Sequence, residues 1–137
     1  MTGPSLRRLL LALSCATAAL LTACGSGSIV DPFTPTRILS VGDSFSDLGQ
    51  DGKRYTVNDD TINIWSQQAA LNWGLPLIAS NKGGLSYARG DALVSGPTGH
   101  SIEAQITELL SKNTLQSGDL VFVNGGLADI MTNVATL

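Results

Sequence analysis

Apolar and polar positions alternate along this chain in two different rhythms. Ile38-Leu39-Ser40-Val41 is a short apolar run closed by Gly42 and followed by polar, turn-prone residues through Gly52. Leu120-Val121-Phe122-Val123 is a second such run, closed by Asn124-Gly125-Gly126. Runs of this length bounded by turn residues predict buried strands that feed loops. Between them the spacing becomes helical. Trp65, Ala69 and Trp73 recur every four residues until Gly74 and Pro76 stop the pattern. Ile102, Ile106, Leu109 and Leu110 fall at i, i+4, i+7 and i+8 behind Ser101 as an N-cap, with Glu103 at the positive end and Lys112 at the negative end. Ile130 to Leu137 reads as the start of another helix. Strands alternating with amphipathic helices predict an α/β fold on a parallel sheet. In such sheets ligands gather at the carboxyl ends of the strands.

The N-terminal segment follows a different pattern. Arg7 and Arg8 precede an almost unbroken apolar run from Leu9 to Ala23, which has the length of a secretory signal and falls short of the roughly 20 residues of a membrane span. Its end, Leu21-Thr22-Ala23-Cys24, resembles the bacterial lipobox. That resemblance implies a lipoprotein signal peptide over residues 1–23, acylation of Cys24, and membrane attachment through the acyl chains. It also implies a bacterial cell-envelope location, at the outer membrane because no aspartate follows Cys24. Residues 24–36 then form a flexible tether, with Gly25-Ser26-Gly27-Ser28 at its start and the helix-breaking stretch Asp31-Pro32-Phe33-Thr34-Pro35 near its end. The folded domain is expected over residues 37–137.

Composition narrows the function. Of 137 residues 43% are hydrophobic and only 14% charged, with a net charge of −3, which argues against coiled coils, acidic tails and nucleic-acid binding. Two cysteines and one histidine exclude disulfide frameworks and multi-cysteine zinc sites. Asp47, Asp51, Asn58, Asp59 and Asp60 offer oxygen ligands without the spacing of a calcium loop, and Gly96 to Ser101 lacks the lysine of a phosphate loop. No metal and no cofactor is called for.

The residues after the first strand, Gly42-Asp43-Ser44-Phe45-Ser46-Asp47-Leu48-Gly49, place a serine at the rim of the sheet. A glycine before it permits a sharp turn, and the serine N–H, free of the strand ladder, can face a substrate oxygen. This block resembles the first block, GDSxSDxG, of the GDSL family of serine esterases and lipases, also called SGNH hydrolases. The resemblance implies a three-layer α/β/α, flavodoxin-like fold, with Ser44 as nucleophile and its own N–H as an oxyanion donor. Gly42, Asp43 and Asp47 are then structural, Asp47 accepting backbone N–H bonds in an Asx-type turn. Gly84-Leu85-Ser86-Tyr87-Ala88-Arg89-Gly90-Asp91-Ala92 is similar to the second block, which makes Gly90 N–H the second oxyanion donor.

The third block departs from the family. Where Gly-x-Asn-Asp is usual, the chain reads Gly126-Leu127-Ala128-Asp129. Asp129 keeps a structural place, but Ala128 removes a donor whose loss typically costs about 3 kcal/mol of transition-state stabilisation. Asn124 is a candidate substitute. The family's closing Asp-x-x-His block has no counterpart before Leu137, and His100 is expected to be an exposed residue near a helix cap. The domain is therefore read as incomplete at its C-terminus and inactive alone, with an uncovered strand edge and apolar face. The expected function is hydrolysis of a small ester, lipid or acylated carbohydrate, through an acyl-enzyme on Ser44. The alternative is a non-catalytic envelope lipoprotein that retains the scaffold.

Overall fold

The computed structural model describes residues 32–97 and 99–134. The expected signal peptide, Cys24 and the Gly25–Ser28 segment lie outside the described residues. What is described is an α/β arrangement. Strand β1 (Arg37–Val41) pairs in parallel with β2 (Asp119–Val123), and there are three α-helices, α1 (Trp65–Leu71), α2 (Ile102–Lys112) and α3 (Leu127–Val134).

The register is pinned at its first rung. Arg37 lies opposite Asp119, and its guanidinium donates from Nε to Oδ1 at 2.8 Å and from Nη2 to Oδ2 at 2.6 Å. Such a two-pronged pair fixes position as well as charge. The hydrogen-bonded guanidinium holds the Asp119 carboxyl below the ordinary carboxylate range despite its burial. Along the other edge of β1 runs Leu85–Arg89, bridged in parallel at Ser40 and Ser86, with Ser40 N donating to Leu85 O, Tyr87 N to Ser40 O and Arg89 N to Gly42 O. β1 is thus flanked on both sides by segments running its own way.

Alternation along β1 divides the core in two. Ile38 packs with Leu48, Ile64, Ala70, Leu77 and Ala79 on one face, where Leu120 and Phe122 join from β2. Leu39 and Val41 face Tyr87, Ala92, Ile102 and Leu109 on the other.

The helices differ from the sequence pattern in which residues they bury. In α1 the buried residues are Ser66 and Ala70, while Trp65 and Trp73 are 43% and 41% exposed. The Trp65 ring lies against Phe122 with centroids 5.4 Å apart, so it covers the sheet's flank rather than filling the core. Gln67 Oε1 accepts from Ile64 N at 3.3 Å to start the helix, and Gly74 at φ 69° ends it. In α2 Ser101 Oγ accepts from Ala104 N at 3.2 Å, the expected cap. Its buried line is Ile102, Gln105 and Leu109, whereas Ile106 and Leu110 are exposed. The four-residue apolar face is therefore only half used.

α3 starts at Leu127, three residues before the expected Ile130. Gly126, at φ 102°, makes the turn that allows this. Among the described residues, β2 has no strand on its outer edge, and Val123, Ile130, Met131 and Val134 are exposed.

Candidate active site at the carboxyl ends of the strands

Three parallel segments end on the same side of the sheet and deliver the site. β1 runs into Gly42–Asp47, Leu85–Arg89 into Gly90 and Asp91, and β2 into Asn124. The positions that the sequence marks as chemical therefore converge, although 81 residues separate Asp43 from Asn124 in the chain.

Gly42 is held at both ends by one buried side chain. Gln105 Oε1 accepts from Gly42 N at 2.8 Å, and Gln105 Nε2 donates to Gly42 O at 2.9 Å. A Cβ on Gly42 would run into the Asn124 side chain and backbone, which explains the glycine here. Asp43, almost fully buried, receives Phe45 N at 3.1 Å, Asn124 Nδ2 at 2.7 Å and Leu127 N at 3.4 Å. It ties the serine turn to the end of β2 and to the start of α3. Asp47 receives Gly49 N at 2.8 Å and Gln50 N at 3.0 Å on Oδ1, the Asx-type pattern, and Gly90 N at 2.8 Å on Oδ2. Asp129, in the first turn of α3, accepts from Val94 N at 3.0 Å.

Ser44 is half-buried at the rim. Among the described residues its N–H donates to no acceptor and remains available. Its hydroxyl oxygen accepts from Asp91 N at 2.8 Å, and the hydroxyl lies 3.4 Å from Asp91 Oδ1. The amide that meets the Ser44 hydroxyl is thus that of Asp91, whereas Gly90 was the amide expected beside Ser44. The Gly90 N–H points to Asp47 instead, because the Asp47 carboxylate is the stronger acceptor within its reach. Asp91 takes φ 55°, the left-handed region that aspartate tolerates better than most residues, and this turn aims its N–H at Ser44.

Asn124 is also placed differently from the expectation. Its Nδ2 donates to Asp43 and its Oδ1 accepts from Ser46 Oγ, so its carboxamide braces the turn from below. Buried carboxylate and hydroxyl partners claim it before a substrate can. Ala128 sits in the first turn of α3, and its methyl group offers no hydrogen-bond donor. His100 is exposed in the turn before α2, and its carbonyl accepts from Gln105 Nε2 at 2.9 Å. It is not among the hydrogen-bond partners of Ser44.

Tyr55 was not signalled by the sequence. Its ring lies against the backbone of Gly90, where a Cβ would strike it. The Asp91 carboxylate beside it, then burial, then Asp47 hold its phenol above the ordinary tyrosine value. The acidic loop residues are engaged separately, Asp59 with Thr61, Asn58 with Arg54 N, and Asp51 with Arg89. Among the described residues no three metal-ligating side chains gather. A cleft of about 460 Å³ opens between Gly49, Arg54, Asp59, Asp60 and Lys82, and Ser44 is not part of its lining.

The fold and site define an α/β chain with a serine hydroxyl and two amides at the carboxyl rim of a parallel sheet. Comparison with protein-family models, with curated proteins and with solved structures finds no match to the chain.

Proposed function

We propose that this chain carries the nucleophile of an envelope-anchored serine acylhydrolase of the GDSL, or SGNH, type, built on a three-layer α/β/α scaffold. The observation that carries the reading is the contact of Asp91 N with Ser44 Oγ at 2.8 Å, beside a Ser44 N–H with no acceptor among the described residues. Ser44 Oγ attacks the ester carbonyl carbon, and the Ser44 N–H receives the negative oxygen, joined by the Asp91 N–H as it leaves the Oγ that it holds in the resting site. The ester C–O bond then breaks, and the serine proton passes through a base to the leaving alcohol. Water, deprotonated by the same base, cleaves the acyl-enzyme to release the acid and restore the hydroxyl. In the family that the chain resembles this base is a histidine; His100, the single histidine of the sequence, is not among the hydrogen-bond partners of Ser44. The substrate is a small ester, a lipid or an acylated carbohydrate, and Cys24 supplies the membrane anchor.

The test is hydrolysis of p-nitrophenyl acetate and butyrate by the full-length product of the gene and by its Ser44→Ala variant. Turnover that disappears in S44A supports the reading. Absence of turnover, or turnover equal in S44A, overturns it in favour of a binding lipoprotein on the same scaffold. For the anchor, palmitate labelling is expected to vanish in Cys24→Ser, and labelling that persists rejects acylation there.

A further inference from the structure

We propose that the carboxylate of Asp91 and the ring of Tyr55 form a cation subsite beside Ser44, so that the esters preferred here carry an ammonium group close to the scissile bond. This rests on the acylhydrolase reading above and names its substrate class.

The carboxylate is adjacent to the reacting centre, since Asp91 Oδ1 lies 3.4 Å from Ser44 Oγ. It is exposed, and among the described residues no cationic side chain pairs with it. The neighbouring Arg89 is turned to other partners, Asp51 at 3.3 Å and Glu108 at 3.7 Å. A carboxylate with no cationic partner at the mouth of a site attracts cations and repels anions.

The ring adds a second recognition element. Tyr55 stands half-exposed over Gly90, and the ammonium of Lys53 already rests 5.0 Å from its centroid. A side-chain cation therefore occupies the place a substrate cation would take, as the ring quadrupole favours. Asp91 lies close enough to the Tyr55 phenol to be the first cause, ahead of burial and Asp47, that holds it above its ordinary value.

The experiment compares kcat/KM of the full-length product for acetylthiocholine and for its neutral isostere, S-(3,3-dimethylbutyl) thioacetate. The cation-to-neutral ratio is expected to be roughly fivefold or more at low ionic strength, the scale of one partly solvated charge a few ångströms away. It should fall towards one as sodium chloride is raised to about 0.5 M. Asp91→Asn keeps the left-handed backbone and the N–H, and should lower the ratio to near one whatever it does to the absolute rates. Lys53→Met, which vacates the ring, should raise it. A ratio near one in the unaltered protein overturns the subsite while leaving the hydrolase reading intact, and a ratio unmoved by D91N does the same. Should D91N be inactive on both esters, a ratio in the unaltered protein that does not fall with salt is decisive against it. Turnover of neither thioester, with p-nitrophenyl acetate still hydrolysed, overturns the subsite alone, and absence of turnover on p-nitrophenyl acetate as well overturns the acylhydrolase reading and the subsite with it.

Discussion

Gln105 grips Gly42 by both its N–H and its carbonyl, at 2.8 and 2.9 Å, across 63 residues of sequence. The carboxamide reaches from the middle of α2 to the end of β1, and its Nε2 also donates to His100 O. It therefore fixes the point at which the chain leaves the sheet and turns into the serine loop. Gln105→Leu fills the same space without polar atoms and leaves the Gly42 N–H buried and unpaired. We expect a loss of about 2–3 kcal/mol in urea unfolding. Gln105→Glu should be worse, because it sets a charged oxygen against two carbonyls. A stability change below about 0.5 kcal/mol in Q105L would show that the grip does not hold the turn.

Asp47 is the second support of that loop, and it joins two blocks of sequence. Its carboxylate gathers three backbone N–H groups, two from the serine loop and one from Gly90. Asp47→Asn is nearly isosteric but turns one acceptor into a donor, so either Gly90 or the Gly49 and Gln50 pair loses its partner. A cost of about 2 kcal/mol is expected. Ester hydrolysis should fall with it, since Gly90 sets the position of Asp91. Faster amide exchange at Gly90 in D47N would identify which bond was lost, and unaltered exchange at all three amides would refute the bracing role.

Asp91 tests backbone strain directly. At φ 55° alanine meets the steric penalty of the left-handed region while glycine does not. Asp91→Ala should therefore be less stable than Asp91→Gly by about 1 kcal/mol, read as a shift in urea midpoint at constant m-value. Equal midpoints would mean that the turn relaxes to an ordinary conformation in solution.

The apolar runs and their turn residues were enough to place β1, β2 and α2 within a residue or so, because each combines a continuous period with a cap or a stop. The serine loop was legible only in its local turns, Phe45 N on Asp43 and the Gly49 and Gln50 amides on Asp47, and not in the bonds of the same loop to Gln105, Asn124, Leu127 and Gly90. What could not be read was which partner each group meets across the sheet. Gly90 and Asp91 are adjacent, and only the packing of Leu85–Arg89 against β1 decides that the first amide faces Asp47 and the second Ser44. Gln105 lies on a polar-looking position of α2, and its one sequence signal is that it continues the line from Ile102 to Leu109. Trp65 and Trp73 lie at the margin of the core, and their four-residue spacing marks one face of a helix without saying whether that face meets the core or its edge.

Asp119 links stability to pH. Its folded pKa lies below the unfolded value, chiefly through the Arg37 hydrogen bonds, with Gln116 N adding a backbone bond at 2.8 Å. The fold thus favours the ionised carboxylate. That contribution is complete above the ordinary aspartate pKa near 4 and disappears as the pH falls through the lower folded value. Arg37 stays charged throughout, so the change belongs to the carboxylate. Asp119→Asn removes the titrating group while preserving its shape, and Arg37 keeps its bond to Thr114 O at 2.9 Å. Urea midpoints of the unaltered protein should decline more steeply than those of D119N as the pH falls from about 5 to about 2, and the two curves should draw together at the acid end. Parallel curves would show that the clamp at the first rung is as strong with the acid protonated as with it ionised, and that its geometry rather than its charge sets the register.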